Sequence, residues 1–296
     1  MSRSFSRRSS SSEKRRIRFL LFLLAALLLA VVALIPLMSR LPARPNPEKR
    51  TVPLYTDSRL GEISGPYFEG VEQNTYDVAA FGQDQGFITY ETEALTAKIG
   101  VDVSVHQGEI DWTQVADSGV EYAMIRVGRR GYTEGSVVKD AAFDANIQGA
   151  LEAGLRVGVY FFSQAVTVEE AREEARQVLE WIHGYEITYP VVFDWEVIQE
   201  STARTGEVSG EELSALTAAF CQVIAQGGYT PAVYAGSQLV LRGLDLSVIR
   251  DYDLWLVEYK AAPTFYYDFT MWQYTASGQV PGIQGNVDLN LCFKEY

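Results

Sequence analysis

The stretch LRVGVYFFSQAVTVEEAREEARQVLEWIHGYEITYPVVFDWE, residues 155–196, decides the fold. Residues 155–162 and 189–195 are short apolar runs rich in β-branched and aromatic side chains, the pattern of strands buried on both faces. Between them, Thr167-Val168-Glu169-Glu170 has the Ser/Thr-x-x-Glu spacing of a capping box and opens an amphipathic stretch. A strand, a helix and a second strand in about 40 residues make a βαβ unit, whose strands lie parallel with a right-handed crossover.

Outward from this unit the alternation repeats. Strands are expected at 99–103, 122–127, 231–235, 253–258, 269–274 and 287–293, besides the two already placed. Asp140 is positioned to cap a helix that ends before Gly154. Ser209-Gly210-Glu211-Glu212 is a second capping box, and Gly227-Gly228 stops the helix it opens. Eight strands in about 200 residues predict an α/β fold, an irregular (β/α) barrel of about eight strands, irregular because the last connections are too short for full helices. An open doubly wound sheet is the alternative. Such barrels carry their chemistry at the carboxyl ends of the strands. Those ends read Asp102, Arg126, Phe162 with Ser163, Asp194 with Glu196, Tyr234, Tyr259 and Gln273, with Asp288 near the edge of the last strand.

Composition narrows the chemistry. The chain has 296 residues, 47% of them hydrophobic, enough for a substantial core. Two His and two Cys are too few for a zinc cluster, a haem attachment motif or a disulfide scaffold, so no metal and no cofactor are expected. Cys221, on the helix after the fourth strand, and Cys292, on the eighth strand, are expected on opposite sides of the barrel as unpaired thiols. Residues 1–50 hold 11 Lys and Arg against two acids, which leaves the rest of the chain with 14 basic and 36 acidic residues, a net charge of −22. That surface repels polyphosphate, so nucleic acid is excluded as a partner.

The basic end reads as a membrane anchor. Residues 1–18 form a basic tail, with Arg3, Arg7, Arg8, Lys14, Arg15, Arg16 and Arg18. Residues 19–39 are free of charge and rich in Leu and Ala; at 1.5 Å per residue they reach roughly 30 Å, one bilayer core. The competing signal peptide has a shorter apolar region, and Leu41-Pro42-Ala43 is a poor cleavage site. The positive-inside rule keeps the tail cytoplasmic and puts everything after Arg40 outside, or in the medium if the span is cleaved. Residues 40–97 are expected to be an extracytoplasmic linker, stiffened by Pro42, Pro45 and Pro47, and a small polar segment of unassigned role with one alternating stretch at 87–90. The domain proper is then 98–296.

The sharpest chemical signal is Val191-Val192-Phe193-Asp194-Trp195-Glu196, a strand ending in two carboxylates. Side chains alternate across a strand, so both acids face the same way, about 6.6 Å apart along the backbone. One pKa of such a pair is pushed up, giving a proton donor beside a group that stays anionic, as glycosidic bond cleavage requires. A D-x-E pair alone also fits a solvated strand end or a Mg²⁺ site. Asp102 ends the first strand and Asp288 belongs to the last, and closure of a barrel makes these strands neighbours, bringing the four acids to one mouth. His106 reads as a structural turn residue more readily than as a base, and His183 as a surface or capping residue.

Gly100-Val101-Asp102-Val103-Ser104 through Gln107-Gly108, Ile110-Asp111-Trp112, Arg126-Val127-Gly128 with Gly131-Tyr132, Gly158-Val159-Tyr160-Phe161-Phe162, Asp194-Trp195-Glu196, Trp272-Gln273-Tyr274 and Val287-Asp288-Leu289-Asn290 together resemble glycoside hydrolase family 25, the muramidases or Chalaropsis-type lysozymes. The resemblance runs in order from about Lys98 to Tyr296. It implies an irregular α/β barrel that cleaves the β-1,4 bond between N-acetylmuramic acid and N-acetylglucosamine of a peptidoglycan glycan strand. It makes Glu196 the general acid, makes Asp194 the support of an oxazolinium-like or oxocarbenium-like centre, and lets Asp102 and Asp288 complete the cluster. For the sugar rings, Tyr160, Phe162, Tyr234, Trp255, Tyr259 and Trp272 offer flat faces, about half of them expected in the core, and Gln273 a hydrogen-bonding amide. Arg126 is either a partner for a substrate carboxylate or an ion-pair partner of the acidic cluster.

Two rivals follow from the same residues. A chitinase-like N-acetylglucosaminidase usually carries another acid two residues before the pair, where this chain has Val192. A membrane-tethered glycan-binding protein with a dead site has no need of all four acids. A serine hydrolase is disfavoured because no G-x-S-x-G occurs.

Overall fold

The computed structural model describes residues 50–296, and residues 51–296 form one compact unit. The chain opens with two hairpins: β1 (Thr51–Asp57) with β2 (Gly61–Pro66), and β3 (Phe81–Asp84) with β4 (Phe87–Tyr90). The expected strand at 87–90 is β4; the other three were not foreseen, since Pro53 interrupts the first run and the rest are short and polar. Residues 51–97 also do not stand apart from the rest. Leu54, Phe87, Ile88 and Tyr90 are buried in the same apolar cluster as the barrel's outer face, so the expected boundary at residue 98 divides one shared core.

Eight of the thirteen strands among the described residues close the barrel: β5 (Lys98–Val103), β6 (Tyr122–Arg130), β8 (Arg156–Ser163), β9 (Val191–Trp195), β10 (Pro231–Ala235), β11 (Asp253–Val257), β12 (Met271–Gly278) and β13 (Val287–Cys292). The short β7 (Val137–Lys139) extends β6 as a hairpin that the sequence reading missed. Parallel pairing runs from β5 through β6, β8, β9, β10 and β11 to β12, and β13 then lies antiparallel to both β12 and β5. Only residues 279–286 join the last two strands, too few for a crossover helix, and the chain returns by reversing direction.

The helices are α1 (Trp112–Asp117), α2 (Phe143–Glu152), α3 (Val168–Ile182), α4 (Gly210–Gln226), α5 (Ser237–Arg242) and α6 (Leu246–Ile249). Ser209 and Glu212 form the reciprocal box at α4. At α3 only half of the expected box is present: Thr167 accepts from the Glu170 N–H, whereas the Glu170 carboxylate binds the Val166 N–H and Arg204. Asp140 lies outside its expected cap position, because α2 starts at Phe143; it accepts from the Ala142 N–H and pairs with Arg126. Among the described residues no helix is long and apolar enough to cross a membrane, and the stretch 19–39 lies outside them.

Strand alternation sorts the side chains into two cores. Val101, Ile125, Val159, Phe161, Phe193, Val233, Leu256 and Leu289 point outward beneath the helices. Tyr122, Met124, Tyr189, Val192, Ala232, Trp255, Met271 and Cys292 fill the barrel interior. The next inward residues along each strand are the polar ones, so the apolar plug becomes the floor of a polar cleft. Cys221 on α4 and Cys292 on β13 are buried and unpaired.

Candidate active site

The cleft at the carboxyl ends of the strands encloses about 740 Å³ with its open mouth and brings the four predicted acids together. Register places each of them. Asp194 on β9 pairs with Phe162 on β8 and Tyr234 on β10, and Asp102 on β5 lies opposite Asp288 on β13. Glu196 follows two residues after Asp194 on the same side, as the strand period demands.

Asp102 is the best-held acid. Its Oδ2 accepts from Gln273 Nε2 (2.9 Å) and Asn290 Nδ2 (2.8 Å), and Trp255 Nε1 in turn donates to Asn290 Oδ1 (2.8 Å). The Tyr234 and Tyr259 hydroxyls both donate to Gln273 Oε1, at 2.8 and 3.0 Å, which turns that amide's NH₂ toward Asp102. Burial and the Asp288 charge push Asp102 well above the usual carboxylate range despite these donors, and burial raises Asp288 as well. Asp194 is 5% exposed, and its Oδ1 is buried with no hydrogen-bond partner. Burial, then the neighbouring Glu196 and Asp102 charges, raise it strongly, and Arg126 pulls the other way. Burial and the Asp288 charge raise Glu196 as well. All four carboxyl groups at this mouth are therefore shifted upward, and their titrations depend on one another.

The main chain at Glu196 is also fixed. The fully buried Gln164, just past β8, donates to the Glu196 carbonyl (3.0 Å) and accepts from Thr205 Oγ1 (3.2 Å), and Trp195 Nε1 donates to the Ala165 carbonyl.

Tyr160, Phe162, Tyr234, Trp255, Tyr259 and Gln273 line the cleft, with Trp255 edge-on to Tyr160 and Tyr234. Trp272 is not among them; it is buried on the outer face and donates to the Glu258 carbonyl. Arg126 lines the wall, but its guanidinium is held by Asp140, at 2.7 Å from both Nε and Nη2, and not by the four acids. His106 is exposed at the rim and His183 is the C-cap of α3. Asn290 is a site residue that the sequence reading does not single out; its signal is the inward parity it shares with Asp288. A second, wider groove of about 1440 Å³ adjoins the cleft and shares Glu196, Tyr234 and Tyr259 with it.

An α/β barrel that brings four carboxyl groups from its first, fourth and last strands together beneath tyrosines, with an open groove alongside, has the acid pair that glycosidic bond cleavage requires. The sequence model of the glycosyl hydrolases of family 25 matches residues 101–283, more than half of the chain, and the chain belongs to that family. It is 29% identical over 192 residues to the autolytic lysozyme of Clostridium acetobutylicum, covering 64% of this chain and 54% of the relative. Among solved structures, the modular autolysin LytC of Streptococcus pneumoniae in complex with a synthetic peptidoglycan ligand superposes with a TM-score of 0.60 at 24% identity, over 72% of this chain and 52% of that one. A family 25 glycosyl hydrolase of Bacillus anthracis superposes with a TM-score of 0.56 at 22% identity, over 72% and 96%. The chain thus spans about half the length of the clostridial lysozyme and of LytC.

Proposed function

We propose that this protein cleaves the β-1,4 bond between N-acetylmuramic acid and N-acetylglucosamine in peptidoglycan. The observation that carries the reading is Asp194: a buried carboxylate with an unpartnered oxygen beside Glu196, a ready acceptor for the N–H of a sugar's 2-acetamido group. Glu196, whose pKa burial and the Asp288 charge raise, donates its proton to the leaving oxygen as the glycosidic C–O bond breaks. Asp194 stabilises the positive oxazolinium-like or oxocarbenium-like centre in its ionised form, which the Arg126 charge and the developing positive charge of the sugar favour against burial. Water then adds to the anomeric carbon and returns its proton to Glu196. The Asp102–Asp288 pair, steadied by Asn290 and Gln273, sets the field around Glu196, while the rings of Tyr160, Phe162, Tyr234 and Tyr259 face the sugars. The clostridial lysozyme and the ligand-bound LytC support this reading by their likeness.

Mass spectrometry of peptidoglycan digested by the protein tests the bond. New reducing ends on N-acetylmuramic acid are expected; new ends on N-acetylglucosamine would put the activity in the glucosaminidase class. Glu196→Gln is expected to cost about 10² to 10⁴ in rate without lowering the melting temperature, and near wild-type clearing of cell walls would remove Glu196 from the acid's role.

We further propose that residues 19–39 anchor the chain in a single pass, with the N-terminus cytoplasmic and the hydrolase outside, where its substrate lies. The charge-free run between Arg18 and Arg40 and the seven basic residues before it support this. Protease added to intact protoplasts is expected to release a fragment near the size of residues 51–296. Protection of that fragment would reverse the orientation.

A further inference from the structure

The family match begins at residue 101, yet residues 51–76 are tied to one particular loop of the barrel, residues 258–267 between β11 and β12. That loop is gathered by the Glu258 carboxylate, which accepts from the Thr264 N–H (2.7 Å), the Thr264 hydroxyl (2.6 Å), the Phe265 N–H (3.2 Å) and Lys260 Nζ (2.7 Å). The N-terminal segment holds it from two sides. On one, the Thr56 N–H donates to Thr264 Oγ1 (3.0 Å), Lys260 Nζ donates to the Thr56 carbonyl, and the Tyr266 N–H donates to the Leu54 carbonyl (2.8 Å). On the other, the Asn74 N–H donates to the Tyr266 carbonyl (2.9 Å) and Asn74 Nδ2 to the Phe265 carbonyl (3.2 Å). Tyr55 places its ring under Lys260, 5.7 Å from the ammonium.

The captured loop begins beside a residue of the cleft. Tyr259 is 56% exposed, borders both the cleft and the wider groove, and donates to Gln273, which donates to Asp102. Tyr259 is held at its hydroxyl by Gln273 and beside it by Trp272 on the Glu258 carbonyl, but its backbone lies in a 13-residue loop, 258–270, and the course of that loop is set by what fixes residues 260–267. We propose that residues 51–76 are a strap that positions Tyr259 against the glycan, making a segment outside the family domain part of the working site. This rests on the hydrolase reading above. The strap touches no reacting atom; it is a positioning element, and the Thr264 hydroxyl, which accepts from Thr56 and Lys260 and donates to Glu258, is its node.

A double-mutant cycle on the full chain, assayed with short soluble glycan fragments, tests the strap. Thr264→Val is expected to lower kcat/KM about tenfold, as loosening of a substrate-positioning group does. Thr264→Ser, which restores the hydroxyl, should recover most of that loss. In a Tyr259→Ala background the same Thr264→Val change should cost less than about twofold, because the group it positions is gone. Unchanged kcat/KM in Thr264→Val, or a full tenfold loss persisting without Tyr259, would overturn the proposal. Should Thr264→Val melt early, Lys260→Met, which cuts the link to the Thr56 carbonyl, is read by the same cycle and the same two outcomes. Glu196→Gln in the same assay keeps the readings separate: activity surviving that change refutes the assigned acid, while the cycle still judges the strap.

Discussion

Asp288 faces Asp102 across the β5–β13 seam and is the charge that, after burial, raises Glu196. Its removal therefore has a signed consequence. With Asp288→Asn the repulsion that raises Glu196 is lost, Glu196 ionises at lower pH, and the alkaline limb of the kcat/KM profile should move downward. A limb that stays put or moves up would show that Asp288 does not set the acid. Asp194 and Glu196 could be read from the sequence because a period of two at a strand end leaves no choice of face. Arg126 could not be assigned, since its partner Asp140 lies on the loop before α2, and only the folded loop brings that carboxylate to 2.7 Å. Asn290 reaches Asp102 across 188 residues of chain, through an antiparallel register that no local pattern encodes.

At the level of elements, the eight barrel strands were legible because each is an apolar run bounded by cap or turn signals. The hairpins of residues 51–90 were not, because their burial comes from the barrel they lean on and not from their own composition. Gly100 illustrates how tightly the barrel elements are matched. It leaves β5 without a side chain where the Tyr122 ring crosses the interior, and that ring stacks on Tyr189 with centroids 4.5 Å apart. A Cβ there would overlap the ring. Gly100→Ala should destabilise by about 1–3 kcal/mol, measured by urea unfolding, and Tyr122→Leu in the same chain should recover part of the loss. Full stability in the single variant would mean that the interior has slack which the packing denies.

Across the whole molecule, the acids that make the site also tax the fold. Asp102, Asp194, Glu196 and Asp288 all have folded pKa values above the usual carboxylate range, so the native state binds protons that the unfolded chain has already released. Their contribution is complete below the unfolded values, near pH 4, and is lost as pH rises through the raised folded ones. The repulsion within the net charge of −22 carried by residues 51–296 acts in the same direction. Unfolding free energy should therefore fall between pH 4 and 7, and an Asp194→Asn, Glu196→Gln double variant should flatten the slope; an unchanged slope would locate the pH dependence elsewhere. The antiparallel closure by β13 bears on synthesis as well. The four acids are divided between the first, fourth and last strands of the barrel, and Asp102 meets Asp288 only when the ring of strands is joined. A nascent chain emerging from the ribosome carries Asp194 and Glu196 long before Asp288 and Asn290 have been made. Long-range pairing is slow to form, so the four acids meet only after the last strand has been made and has joined the first.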